Sequence, residues 1–184
     1  MKVFLVRTDS DHYQYFQTAR DEEYTRLMSK GEPLGASWSP PEVYIPYPRH
    51  PQSDFYSSSR SVLIVDARAI AVLRPFFEQA GEILPLPYRG VEYSFINVTV
   101  RADPLDMDKT YPDKDNRPLF HETHFVFRPD QFPTSVLFKM PRLDGGSTIY
   151  LWEGGRPADQ EFRAVYERAG LTGLVFQELW SDGQ

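Results

Sequence analysis

The stretch from Ser147 to Trp180 constrains the fold most, because it holds a complete strand, helix, strand unit with its own start and stop signals. Ser-Thr-Ile-Tyr-Leu-Trp at 147–152 is a run of β-branched and aromatic residues long enough for a buried strand. The polar turn at 153–159 breaks it. From Asp159 onward Phe162, Val165, Tyr166 and Ala169 recur at helical spacing, while Glu161, Arg163, Glu167 and Arg168 fill the outer face. Asp159 reads as the N-cap and Gly170 as the stop. Leu174-Val175-Phe176 then reads as a second strand.

A fainter copy precedes it. Val62-Leu63-Ile64-Val65 is followed by Asp66 as an N-cap, an apolar-periodic segment ending at Gln79-Ala80-Gly81, and Glu82-Ile83-Leu84-Pro85-Leu86 as a strand. The helix ends Gln79-Ala80-Gly81 and Arg168-Ala169-Gly170 are alike, but Ala-Gly endings are common and establish no duplication. Pro75 removes a backbone donor, which predicts a kink with one helical piece at 69–73 and another at 75–80. Pro85 and Pro87 bar the end of the following strand from a central place in a sheet.

At 184 residues the chain fits one α+β domain, which at this size buries about 70% of its unfolded surface without staples. We divide it into residues 1–60, an N-terminal strand with a proline- and aromatic-rich segment, and residues 61–184, a core with the two strand, helix, strand units. The expected sheet is mostly antiparallel or mixed, with roughly seven to nine strands and two to four helices. Val3 to Val6 reads as the first strand and the region near 21–29 as a helix. Gly31 to Pro51, rich in proline and carrying Trp38, Tyr44, Ile45 and Tyr47, reads as a flap packed on the sheet or as a surface for a protein partner. Val91 to Val100 changes its alternation part-way, which predicts a bulge near 95–97. Further strands are expected at 123–127 and 135–140, with a turn at Asp144-Gly145-Gly146.

The formal net charge of −6 argues against a protein built to hold nucleic-acid phosphates and suits a basic partner, though it also serves solubility. The chain has no cysteine, which excludes disulfides, cysteine zinc sites and a catalytic thiol. The short apolar run at Val3 to Val6 predicts no signal peptide, and no segment approaches a membrane span, so a cytoplasmic location is expected.

Few groups suggest chemistry. His121 and His124 are the only histidines near ligand spacing, but flanking Phe120 and Phe125-Val126-Phe127 favour a strand, where they would face opposite ways. Asp106, Asp108 and Thr110 begin a calcium-like spacing without the glycine and closing glutamate that such a loop needs. No glycine-rich phosphate cradle or Gly-x-Ser-x-Gly elbow occurs; Gly35-Ala36-Ser37-Trp38-Ser39 lacks the second glycine. Neither a metal nor a cofactor is expected. The polar excursion at 101–119 is better suited to offering carboxylates to a basic partner, through Asp106, Asp108, Tyr111, Asp113 and Asp115.

Several segments resemble, in order, an immunity protein family encoded beside bacterial polymorphic toxins, immunity protein family eleven, which began as a domain of unknown function. They are Gln79-Ala80-Gly81-Glu82-Ile83-Leu84-Pro85-Leu86, Tyr93-Ser94-Phe95-Ile96-Asn97-Val98 with Ala102-Asp103-Pro104-Leu105-Asp106, and Glu167 to Phe176. The resemblance implies stoichiometric neutralisation of a cognate toxin and no catalysis. It carries over no binding residue, and the segment at 31–51 departs from it most. The alternatives are a small metal-dependent or hydrolytic enzyme using His121 and His124, and a general regulatory interaction module.

Overall fold

The computed structural model describes residues 1–28, 30–57, 62–110 and 124–183. These form an α+β domain of ten strands and five α-helices, more elements than the sequence predicts because several are only two to four residues long. One four-stranded sheet has the order β10-β1-β9-β8, from β1 (Lys2–Thr8), β8 (Leu137–Phe138), β9 (Ile149–Glu153) and β10 (Leu174–Ser181). A second has the order β4-β5-β7-β6, from β4 (Phe55–Tyr56), β5 (Leu63–Val65), β6 (Gly81–Tyr88) and β7 (Val91–Val98). The short β2 (Gln17–Thr18) and β3 (Val43–Tyr44) pair separately. All ladder pairings are antiparallel.

Both strand, helix, strand units are present, and each leaves a one-strand gap. α2 (Ala67–Ala80) connects β5 to β6, and β7 lies between them, antiparallel to both. α5 (Phe162–Arg168) connects β9 to β10, and the gap is filled by β1 from the start of the chain. β6 and β7 are joined through Arg89 and Gly90, both at positive φ (50° and 81°), the geometry of a type I′ hairpin turn. Pro85 and Pro87 do lie on an edge strand, since among the described residues β6 pairs only with β7.

The helix ends follow local chemistry at three of four points. The Asp66 carboxylate accepts the Ala69 N–H at 2.8 Å and starts α2. Gly170, at φ 61°, ends α5 in a Schellman arrangement, with Leu171 N–H bonded to Tyr166 O and Gly170 N–H to Glu167 O. α2 passes at Gly81 straight into β6 with no loop. At the fourth point Asp159 is not the cap: α5 starts after Glu161, whose carboxylate turns back to accept the Gly154 and Arg156 N–H groups at 3.2 and 3.1 Å.

Pro75 does not split α2, which runs as one helix of 14 residues. The proline and Ala71, whose carbonyl loses its donor, are both exposed, so water can satisfy that group, while Leu73, Phe76 and Phe77 remain buried on the opposite side. The bulge expected in β7 is also absent; its register with β6 is regular from Gly81↔Val98 to Tyr88↔Val91. The parity changes because both faces are covered. Ile96 and Val98 enter the core shared with α2 and α5, and Phe95 enters a second cluster on the other side.

The shared core takes Phe4, Val6, Ile149 and Leu151 from the first sheet and Leu63, Val65, Ile96 and Val98 from the second, with α2 and α5 packed into it. On the second sheet's outer face Val62, Ile64 and Phe95 meet Phe16, Leu27 and Val43 of the N-terminal segment. On the first sheet's outer face Val3, Leu5, Phe138 and Tyr150 meet Leu105, Phe125 and Phe127. α1 (Asp21–Leu27) therefore belongs to a cover, as does α3 (Met107–Thr110). The expected strand at 123–127 is reduced, within the described residues, to a single bridge from Phe127 to Leu105. At 135–140 the ladder is limited to β8, with Lys139 bridging Arg101; α4 (Pro141–Asp144) and the turn at Gly145 and Gly146 follow.

Candidate functional site

The proline-rich segment is a flap with two chemically different sides. Its inner side is latched to β6 and β7. The Trp38 indole stacks on Phe95 with 5.2 Å between ring centroids and donates Nε1–H to the Pro85 carbonyl at 2.8 Å. The Glu82 carboxylate accepts the Leu34 and Gly35 N–H groups, both at 2.8 Å. Asn97, fully buried, donates Nδ2–H to Glu82 Oε2 at 2.7 Å and to Glu32 O at 2.9 Å. Further along, Gln14 Nε2–H donates to the Pro48 and His50 carbonyls, both at 2.9 Å.

Partial desolvation raises the Glu82 pKa, but the hydrogen bonds from Leu34, Asn97 and Gly35 outweigh it and hold the carboxyl below the usual glutamate range. A depressed acid stabilises the fold fully above its unfolded pKa, and that contribution is lost as the pH falls through the folded value. Denaturant titrations are therefore expected to show stability falling below the ordinary glutamate range. Glu82→Gln is expected to cost about 1–2 kcal/mol at neutral pH and to flatten this acid limb. An unchanged acid limb in Glu82→Gln would remove Glu82 from the latch.

The flap's outer side is tyrosine-rich. Tyr44 and Tyr47 are 42% and 55% exposed, high for such large aromatic side chains. Tyr47 lies 5.9 Å from Tyr15 and stacks on His50 at 5.4 Å. Tyr44 Oη–H donates to Gln17 Oε1 at 2.9 Å. Burial pushes the Tyr15 hydroxyl above its usual pKa, and the nearby Tyr47 and Tyr44 add to the rise. Tyrosines held on a fixed backbone supply large amphipathic contact area at low entropic cost, the composition that anchors protein interfaces. Trp38, Val43 and Ile45 pack inward as a flap requires, and Tyr44 and Tyr47 face out.

The acidic segment is less open than its sequence suggests. Leu105 and Thr110 are buried in it, 3% and 4% exposed. Asp106 caps α3, accepting the Lys109 N–H at 3.3 Å and lying 3.3 Å from Lys109 Nζ. Desolvation opposes this arrangement, but the Lys109 contacts keep the Asp106 carboxyl below the usual aspartate range. Asp103 accepts the Arg142 N–H at 3.0 Å. Asp108 is exposed, while Tyr111, Asp113 and Asp115 lie outside the described residues. Thr110, the third residue of the calcium-like spacing, is buried with its hydroxyl bonded to the Val126 backbone.

His124 is exposed and His121 lies outside the described residues. Among the described residues no group of three or more His, Asp or Glu side chains is placed to hold a metal ion. A cavity of about 410 Å³ opens between α2 and the 153–160 turn, lined by Val72, Phe76, Gln79, Thr134, Arg156 and Gln160. Its Arg156 guanidinium lies 3.8 Å over the Trp152 ring. Burial lowers the Lys139 pKa to about 8, against the opposing pull of Asp144, yet its side chain is 1% exposed and lines neither this cavity nor the smaller one beside Met1 and Glu153. No family model matches the chain, and a comparison with curated proteins finds no match. No helix among the described residues is long and apolar enough to cross a membrane.

Proposed function

We propose that this protein binds another protein, and that it acts as an immunity protein neutralising a cognate bacterial toxin by one-to-one contact. The observation that carries the binding reading is the exposed pair Tyr44 and Tyr47, backed by the half-buried Tyr15 and His50, on a flap whose other side is latched to the sheet. The toxin part rests on the family resemblance of residues 79–86, 93–98, 102–106 and 167–176. A cytoplasmic site of action follows from that role, since the toxin must be met before it reaches its target.

The test is co-expression. Tagged protein from its native host should retain one large partner near one-to-one, and the partner's C-terminal part should kill cells unless this protein is present. Tyr44→Ala together with Tyr47→Ala is expected to weaken binding by about 2–4 kcal/mol and abolish protection, with little change in thermal midpoint. Charge reversal at Asp106, Asp108 and Asp113 provides the rival surface: slower association with a weaker salt dependence would place the contact on the acidic segment. Protection unchanged by both sets would sink both surfaces. Stoichiometric metal lost on changing His121 and His124 would favour the enzyme alternative.

A further inference from the structure

Four strand edges bound the two main sheets, and three are blunted. β4 and β8 are two residues long, and β6 carries Pro85 and Pro87 with Trp38 bonded to its outer carbonyl. β10 differs. It has eight residues and no proline, and among the described residues it pairs only with β1.

Gly173 O accepts the Asp9 N–H, so by antiparallel alternation the peptide groups of Val175 and Gln177 face β1 and those of Leu174, Phe176 and Glu178 face outward. The Leu174 N–H is taken by Tyr166 Oη at 3.1 Å. Among the described residues the Leu174 C=O, both peptide groups of Phe176 and the Glu178 N–H have no hydrogen-bond partner.

We infer that β10 pairs antiparallel with β10 of a second copy, joining two four-stranded sheets into one. A two-fold axis at Phe176 lets that residue exchange both backbone hydrogen bonds with its copy, and brings each Glu178 N–H to the other chain's Leu174 C=O. Charge selects a second copy as the occupant. A chain of net charge −6 repels itself except through a neutral patch, and β10 has one charged side chain, Glu178, neutralised by Lys2 at 2.7 Å. The same pairing sets Val175, 37% exposed, opposite Gln177, with no like charges facing. A basic partner would find no charge to read on this edge.

Light scattering over a concentration series tests it. The wild type is expected to reach twice 21.4 kDa. Glu178→Pro removes an outward donor and keeps the ladder to β1. It is expected to weaken dimerisation by about tenfold or more, because the bond is lost twice in a symmetric pair. Val175→Lys, which places two cations near the axis, is expected to weaken it as well, with partial recovery in salt. Its circular dichroism checks that the fold is intact. A single-chain mass at every concentration overturns the inference, as does a dimer indifferent to both variants.

Discussion

Gly81→Ala is expected to leave the protein largely unfolded, at a cost above about 4 kcal/mol, the range reached when a core element is forced apart. Gly81 is the point where α2 becomes β6, and it faces Val98 across the β6–β7 ladder. A Cβ there would fall onto the Asn97 carbonyl oxygen, far inside van der Waals contact, and 2.8 Å from the Thr99 backbone nitrogen. Neither group can give way cheaply. Thr99 N–H and Val100 N–H both bond to Ala80 O, and the buried Asn97 carries Glu32 and Glu82 of the flap latch. The methyl would therefore separate β7 from α2 and loosen the flap together. Gly145→Ala is the control: its φ of 71° is strained, but a Cβ would meet nothing within 4 Å, so about 1 kcal/mol is expected. Chemical denaturation of the two variants checks the difference, and equal losses would show that the close approach at Gly81 is not what the glycine serves.

What was legible in the sequence was what neighbouring residues decide among themselves. Asp66 caps α2, Gly170 stops α5, and Pro85 and Pro87 mark an edge, each through the chemistry of one or two residues. Pairings decided across the chain left no local mark. Nothing in Lys2–Thr8 indicates that it fills the gap between β9 and β10, because the ladder from Lys2↔Ser181 to Thr8↔Leu174 is held by backbone groups that any sequence supplies. The parity change in β7 had two physical sources that a sequence cannot separate, a bulge or two covered faces, and burial of both Phe95 and Ile96 decides for the second. Asp159 lost the cap to a residue two places on, since Glu161 is held by the Gly154 and Arg156 N–H groups. At the candidate site the composition of the flap marked the tyrosines, but the register of β2 with β3, Gln17↔Tyr44 and Thr18↔Val43, is what sets Tyr44 outward and Val43 inward.

Asp54→Ala is expected to cost about 2–4 kcal/mol, more than an ordinary ion-pair loss, because it leaves a backbone donor unsatisfied as well as a charge. Asp54, with its side chain 7% exposed, bonds Arg68 Nη1 through Oδ1 at 2.8 Å and Thr172 N–H and Oγ1–H through Oδ2 at 2.7 and 3.0 Å. Arg68 in turn donates Nη2–H to the Ala169 and Gly170 carbonyls at 2.6 and 3.2 Å, the open C-terminal end of α5. One carboxylate thus joins the approach to β4, the first turn of α2, the end of α5 and the approach to β10, elements of both sheets. Arg68 is 53% exposed, so water can replace much of what it supplies, and Arg68→Ala is expected to cost about 1 kcal/mol. The asymmetry is the test. If the ion pair dominates, both single variants and the double variant lose the same amount; if the Thr172 N–H dominates, Asp54→Ala loses more and Asp54→Asn, whose amide oxygen can still accept it, recovers most of the difference. The second pattern is the one expected, since among the described residues the part-buried Thr172 N–H has no acceptor other than the Asp54 carboxylate.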